Sequence, residues 1–203
     1  MVKAALAAFP ADHVLRRVLA GPNDLAFDAG VVDTFLHPID RGYSVRECYE
    51  LLDAAGLVLQ GWVNRYAYDP ASRIAQPQLR ERILKLPERD AQAALELIDG
   101  RMATHTFYAC RPEAQFRIDF AGSGFMDLVP VRRPGWPKFM GLPVELRERR
   151  AAVASQIDGR RTVRECFLAA GSQFEAPQFV ASFCRELFRE LWLAGYCDLV
   201  KGT

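Results

Sequence analysis

DTFLHPIDRGYSVRECYELLDAAGLVLQGWV, residues 33–63, decides the fold. Ser44 followed three residues later by Glu47 is a capping box, in which hydroxyl and carboxylate each satisfy a backbone N–H that a helix start leaves orphaned. A helix therefore begins there. Val45, Cys48, Leu52 and Ala55 fall on one face of it, and Gly56 can take the left-handed conformation that closes a helix. Leu57 to Val63 is then apolar and rich in β-formers, which predicts a buried strand. Helix, glycine and strand make half of a crossover unit, and such a unit cannot bury its strand alone.

Working downstream, Asn64 to Ser72 is polar and aromatic, with a turn at Asp69-Pro70. Two short helices are predicted next. One places Leu79, Ile83 and Leu86 together and stops at Pro87; the other places Ala91, Ala94, Leu95 and Ile98 together before Asp99-Gly100. Thr104 to Cys110 reads as a second strand, and Gly122-Ser123-Gly124 as a turn. From Pro130 the chain is proline-rich, basic and aromatic without periodicity, the signature of a linker over residues 130–141. Beyond it come a charged helix from Val144 to Ile157, a second capping box at Thr162 and Glu165, and a long helix opened by Pro177. Phe179, Val180, Phe183, Cys184, Leu187, Phe188, Leu191 and Trp192 make one broad apolar stripe on that helix. Tyr196 to Val200 reads as a short strand.

Upstream, residues 1–19 read as a helix to Phe9 and a second around Val14, Leu15, Val18 and Leu19. The apolar run before Pro10 is about six residues, shorter than a signal-peptide core. With no transmembrane span either, a cytoplasmic protein is expected. The five cysteines, Cys48, Cys110, Cys166, Cys184 and Cys197, are odd in number and lack CxxC spacing, so they read as reduced packing residues. A net charge of +1 gives little attraction for nucleic acid or anionic membrane.

YELLDAAGLVLQGWV (49–63) resembles the last helix and following strand of class I S-adenosylmethionine-dependent methyltransferases. FLHPIDRGYSV (35–45) is similar to the segment leading into that helix in one bacterial branch, and THTFYACRP (104–112) is similar to the antiparallel last strand. The C-terminal helices and strand, with IDGRRTVREC (157–166), resemble the winged-helix regulatory domains that follow some bacterial methyltransferases. The resemblance implies an α+β, mostly helical chain. Its first part, residues 1–129, would be a partial Rossmann-like methyltransferase C-terminal region of a helix plus a two-stranded pair. A small winged-helix-like domain over 142–203 would follow.

No glycine-rich turn follows any strand, and that is where this fold cradles its nucleoside. The resemblance therefore implies a truncated or split methyltransferase-like protein, the acceptor-site, lid and regulatory half. S-adenosylmethionine would be bound only when a partner completes the fold. His37, Asp40, Arg41 and Tyr43 are the candidate acceptor-site residues. The alternative for His37 and Asp40 is that they fix the loop ahead of the helix by hydrogen bonds. No histidine pair has metal-ligand spacing.

Two other functions stand beside this one. A non-catalytic regulatory or scaffolding module would recruit a partner, or a second copy, through an exposed strand edge. A winged-helix DNA-binding regulator is opposed by charge, since Leu142 to Thr203 holds nine Lys/Arg against eight Asp/Glu. Arg185-Glu186 and Arg189-Glu190 on the long helix suit a self-paired surface at i, i+4 spacing.

Overall fold

Two stretches of chain fold as separate units, Met1–Gly42 and Tyr43–Thr203. The computed structural model describes residues 2–13, 27–36, 41–135, 144–171 and 177–202. In the first unit α1 spans Val2–Ala8 and α2 spans Asp28–Phe35, and Lys3 Nζ reaches Asp28 Oδ1 at 2.8 Å. The helix expected around Val14 to Leu19 lies outside the described residues. The sequence reading missed α2 because its signals are weak. It contains Gly30 and adjacent valines, and Phe27 at its N-cap offers no side-chain acceptor.

In the second unit the order is α3 (Val45–Ala54), β1 (Val58–Trp62), a 3₁₀ turn (Arg65–Tyr68), α4 (Pro70–Arg73), α5 (Pro77–Leu84), α6 (Glu88–Asp99) and β2 (Phe107–Cys110). A 3₁₀ turn (Gly124–Asp127), β3 (Val129–Arg132), α7 (Val144–Ser155), α8 (Val163–Ala169), α9 (Pro177–Leu193) and β4 (Cys197–Val200) follow. The chain is thus α+β and mostly helical. Both expected capping boxes are present in full, Ser44 with Glu47 on α3 and Thr162 with Glu165 on α8. Gly56 and Gly100 take positive φ where α3 and α6 end, as a left-handed close requires.

Among the described residues there are two antiparallel ribbons, β1 with β2 and β3 with β4. Trp62 pairs with Phe107 and Gly61 with Tyr108, and the register slips between Leu59 and Gly61, leaving Gln60 in a bulge. Val63 N donates to Thr106 O, so Thr106 and Tyr108 face β1. By antiparallel alternation the backbone groups of Phe107 and Ala109 then turn to the opposite edge. Both strands are shorter than their apolar runs suggested, because residues 104–106 carry the chain in without a full ladder.

The C-terminal core packs Phe183, Cys184, Leu187, Phe188 and Leu191 of α9 against Val163, Cys166 and Phe167 of α8. Phe125 and Met126 belong to the same core. C-terminal packing thus reaches upstream of the expected linker, whose first residues, Pro130 to Arg132, lie in β3; Trp136 to Pro143 lie outside the described residues. Four members of predicted apolar stripes are exposed instead, Phe179 at 52%, Ile98 at 49%, Leu86 at 42% and Ala55. Among the described residues no helix is long and apolar enough to cross a membrane.

Candidate functional site

Three residues spaced four apart on α6, Glu88, Gln92 and Glu96, form a polar stripe along one side of the helix, and each does different work. Gln92 is buried, at 7% exposure. Its Oε1 accepts two hydrogen bonds, from Tyr49 Oη at 2.8 Å and from Trp62 Nε1 at 2.7 Å. Since the indole N–H can only donate, the orientation of the Gln92 amide is fixed. The geometry needs α3 to deliver Tyr49 and β1 to deliver Trp62, which is what the helix–glycine–strand unit does.

Glu96, one turn further on, accepts from the Val45 backbone N–H at 2.9 Å and lies 3.0 Å from His105 Nε2. Nδ1 of the same ring is 2.7 Å from the Tyr68 hydroxyl. In the neutral ring the partners fit one tautomer, with Nε2–H donating to the Glu96 carboxylate and Nδ1 accepting from the Tyr68 hydroxyl. The Tyr68 ring stacks on Trp62 with centroids 4.0 Å apart. Burial pushes its hydroxyl up to about 12, so Tyr68 stays a neutral donor at physiological pH. Glu96, His105 and Tyr68 therefore hold four segments in place: the start of α3, α6, the approach to β2, and the turn after β1.

In front of this cluster opens a cleft of about 630 Å³. All five residues of β1 line it. Side chains of a strand alternate between its faces, so a strand that contributes every residue presents an edge. Opposite stand Trp192 of α9 and Asp198 to Val200 of β4, while Gln115 to Ile118 close one end. Gln60, freed by the bulge, grips the Phe116 backbone, with Nε2 to O at 2.7 Å and N to Oε1 at 3.0 Å. Gln115 Nε2 in turn donates to Leu59 O at 2.9 Å.

The two walls are tied together by ions. Arg65 pairs with the Asp198 carboxylate, donates to Trp192 O at 2.9 Å, and lies over the Trp192 ring at 4.8 Å. Arg189 reaches Asp69 at 2.9 Å, and Arg117 reaches Glu88 at 2.8 Å. Arg89 forms a bidentate pair with Asp53, and this hydrogen bonding holds the Asp53 carboxyl below its usual range. These charges are committed to one another, and the charged residues that line the cleft, Arg65, Arg89, Arg117, Asp69, Glu88 and Asp198, balance in sign.

Of the candidate acceptor-site residues, His37 and Asp40 lie outside the described residues. Arg41 is exposed, and Tyr43, 44% exposed, is not among the residues lining the cleft. His105, within the stretch expected as the second strand, lies just ahead of β2 with its side chain 8% exposed. The self-pairing expected along α9 is corrected. Glu186 and Glu190 both serve the buried Arg150 of α7, and Arg189 serves Asp69, so these charges bind across elements and not at i, i+4. The one trace of this site in the sequence is the four-residue spacing of Glu88, Gln92 and Glu96, which the apolar periodicity of α6 overshadows. Among the described residues no group of three or more His, Cys, Asp or Glu could hold a metal ion. No protein-family model matches the sequence.

Proposed function

We propose that this chain is the acceptor-side and regulatory half of a methyltransferase-like assembly, acting with an S-adenosylmethionine-binding half carried elsewhere. The observation that supports this reading is the outer edge of β2. The strand pairs with β1 on one side, and among the described residues nothing pairs with it on the other. An unpaired edge is a template for a further strand. In the fold that residues 49–63 and 104–112 resemble, the sheet continues there into the strands that carry the nucleoside. The cleft behind β1 supplies the acceptor side, with a size suited to a small organic molecule. The end of α9 and β4 form the opposite wall, and helices α7 to α9 with the β3–β4 ribbon act as the regulatory portion.

Association with cofactor-binding proteins that carry a glycine-rich β-α-β segment, followed by light scattering, tests the proposal. Ala109→Pro removes a donor from the outer edge while leaving the β1 ladder intact. A complex with the wild type that weakens at least about tenfold with this variant is expected. A complex indifferent to it would contradict the edge as the docking line. A second reading, a non-catalytic scaffold that recruits a partner or a second copy, uses the same edge. It differs in that the resulting complex does not bind the methyl donor.

A further inference from the structure

Gln92 and Glu88 leave hydrogen-bonding capacity unused where they meet the cleft. With Oε1 of Gln92 occupied by Tyr49 and Trp62, its Nε2 carries two hydrogens outward, and the contact it makes is a long one, 3.4 Å to Glu88 Oε1. Glu88 gives its other oxygen to Arg117. A donor and an acceptor thus stand side by side on one turn of α6, joined by a contact too stretched to satisfy either. Both residues line the cleft, along with Tyr108, Phe116 and Trp192.

Charge narrows the ligand further. Arg65, Arg89 and Arg117 are each engaged by a carboxylate, and Asp69 is engaged by Arg189. An anionic ligand would have to break one of these pairs and strand the partner, and a simple cation offers no acceptor to Gln92 Nε2–H. A neutral one need break none.

On the reading of this cleft as the acceptor side, we infer that its ligand is a neutral, planar molecule bearing a carbonyl next to an N–H, as in a lactam or a heteroaromatic amide. The carbonyl accepts from Gln92 Nε2–H, the N–H donates to Glu88 Oε1, and the ring lies against the aromatic side chains. Such a ligand replaces one stretched contact with two of ordinary length. A site of this kind rejects analogues that lack either group, because its own polar atoms are then left unpaired.

Three bicyclic probes of similar size separate the possibilities: 2-quinolone, N-methyl-2-quinolone and quinoline-2-carboxylate. Each is titrated into the ¹⁵N-labelled full chain while the Trp62 indole N–H resonance is followed. The expected result is saturable binding of 2-quinolone and at least about tenfold weaker binding of the other two. In Glu88→Ala, whose lost side chain is 54% exposed, the preference for the lactam over its N-methyl form should fall toward one while the chain stays folded. Equal or tighter binding of the carboxylate or the N-methyl compound overturns the ligand class and keeps the cleft as a site. An indole resonance unmoved by all three at millimolar concentration overturns the inference together with the acceptor-side reading beneath it.

Discussion

The indole N–H of Trp62 donates to Oε1 of Gln92 at 2.7 Å, and through this bond the last residue of β1 is fixed to the middle of α6. Trp62 is 4% exposed and stacked on Tyr68, so its ring belongs to the core while its nitrogen belongs to the polar stripe behind the cleft. The two contributions can be separated. Trp62→Phe keeps an aromatic ring and loses the donor, and should cost about 1 kcal/mol in urea denaturation. Trp62→Ala also opens a cavity and should cost about 3–5 kcal/mol.

Removing His105 tests whether the Glu96–His105–Tyr68 chain serves structure. His105→Ala leaves a buried phenol and a carboxylate each short of one partner, for a loss of about 2–3 kcal/mol in the same measurement. Loss of the hydrogen bond from Tyr68 in Tyr68→Phe should be milder, about 1 kcal/mol. A His105→Ala variant as stable as the wild type would show that the chain contributes nothing to the fold.

The capping boxes offer a cleaner comparison because both were expected from four-residue patterns and both are formed. Ser44→Ala and Thr162→Ala should each lower stability by about 1 kcal/mol, additively, since the two caps share no partner. Gly substituted at either position should cost less than Ala.

What was legible before the structure follows from range. Capping boxes, the glycines that close α3 and α6, and the apolar face of α9 are local, and a single chain segment states them. The site is not local. Gln92 meets Tyr49 and Trp62, separated from it by 43 and 30 positions, and Arg65 meets Asp198 across 133. A glutamine in an amphipathic helix gives no sign of such partners, and the only trace was its spacing from Glu88 and Glu96. Helix α2 was missed for the opposite reason, since its uncapped start and glycine-valine composition send no local signal.

Four thiols report on the C-terminal core and on α3. Burial pushes Cys184 and Cys197 up to about 12 and Cys166 to about 11, from an ordinary value near 9, and raises Cys48 of α3 as well. The folded state therefore favours the neutral thiol. Its contribution is whole below about pH 9 and is lost as pH rises toward 12, where the unfolded chain gains by ionising. Asp158 acts in the other direction. The backbone N–H groups of Arg161 and Arg160 hold its carboxyl below the usual range, so its contribution is present at neutral pH and fades as acid protonates it. Denaturant midpoints measured against pH should fall on both sides of a neutral plateau. With a thiol reagent at pH 8, Cys110 should react in the folded protein, and Cys48, Cys166, Cys184 and Cys197 only as it unfolds.

The seam across the cleft should be weaker than the cores on either side. Arg65 and Asp198 are only partly buried, at 17% and 30% side-chain exposure, and a double-mutant cycle of Arg65→Ala and Asp198→Ala should give a coupling of about 1–3 kcal/mol. Hydrogen exchange in either single variant should rise first in residues 115–118 and β4, ahead of α3 and α6. Uniform exchange across all these segments would mean that the walls of the cleft open only with global unfolding.

Calorimetric titration of S-adenosylmethionine into this chain by itself tests the central claim most directly. The account predicts no heat of binding up to millimolar concentration, with binding appearing only when the nucleoside-carrying half is added. Saturable binding of one equivalent to the isolated chain would contradict it.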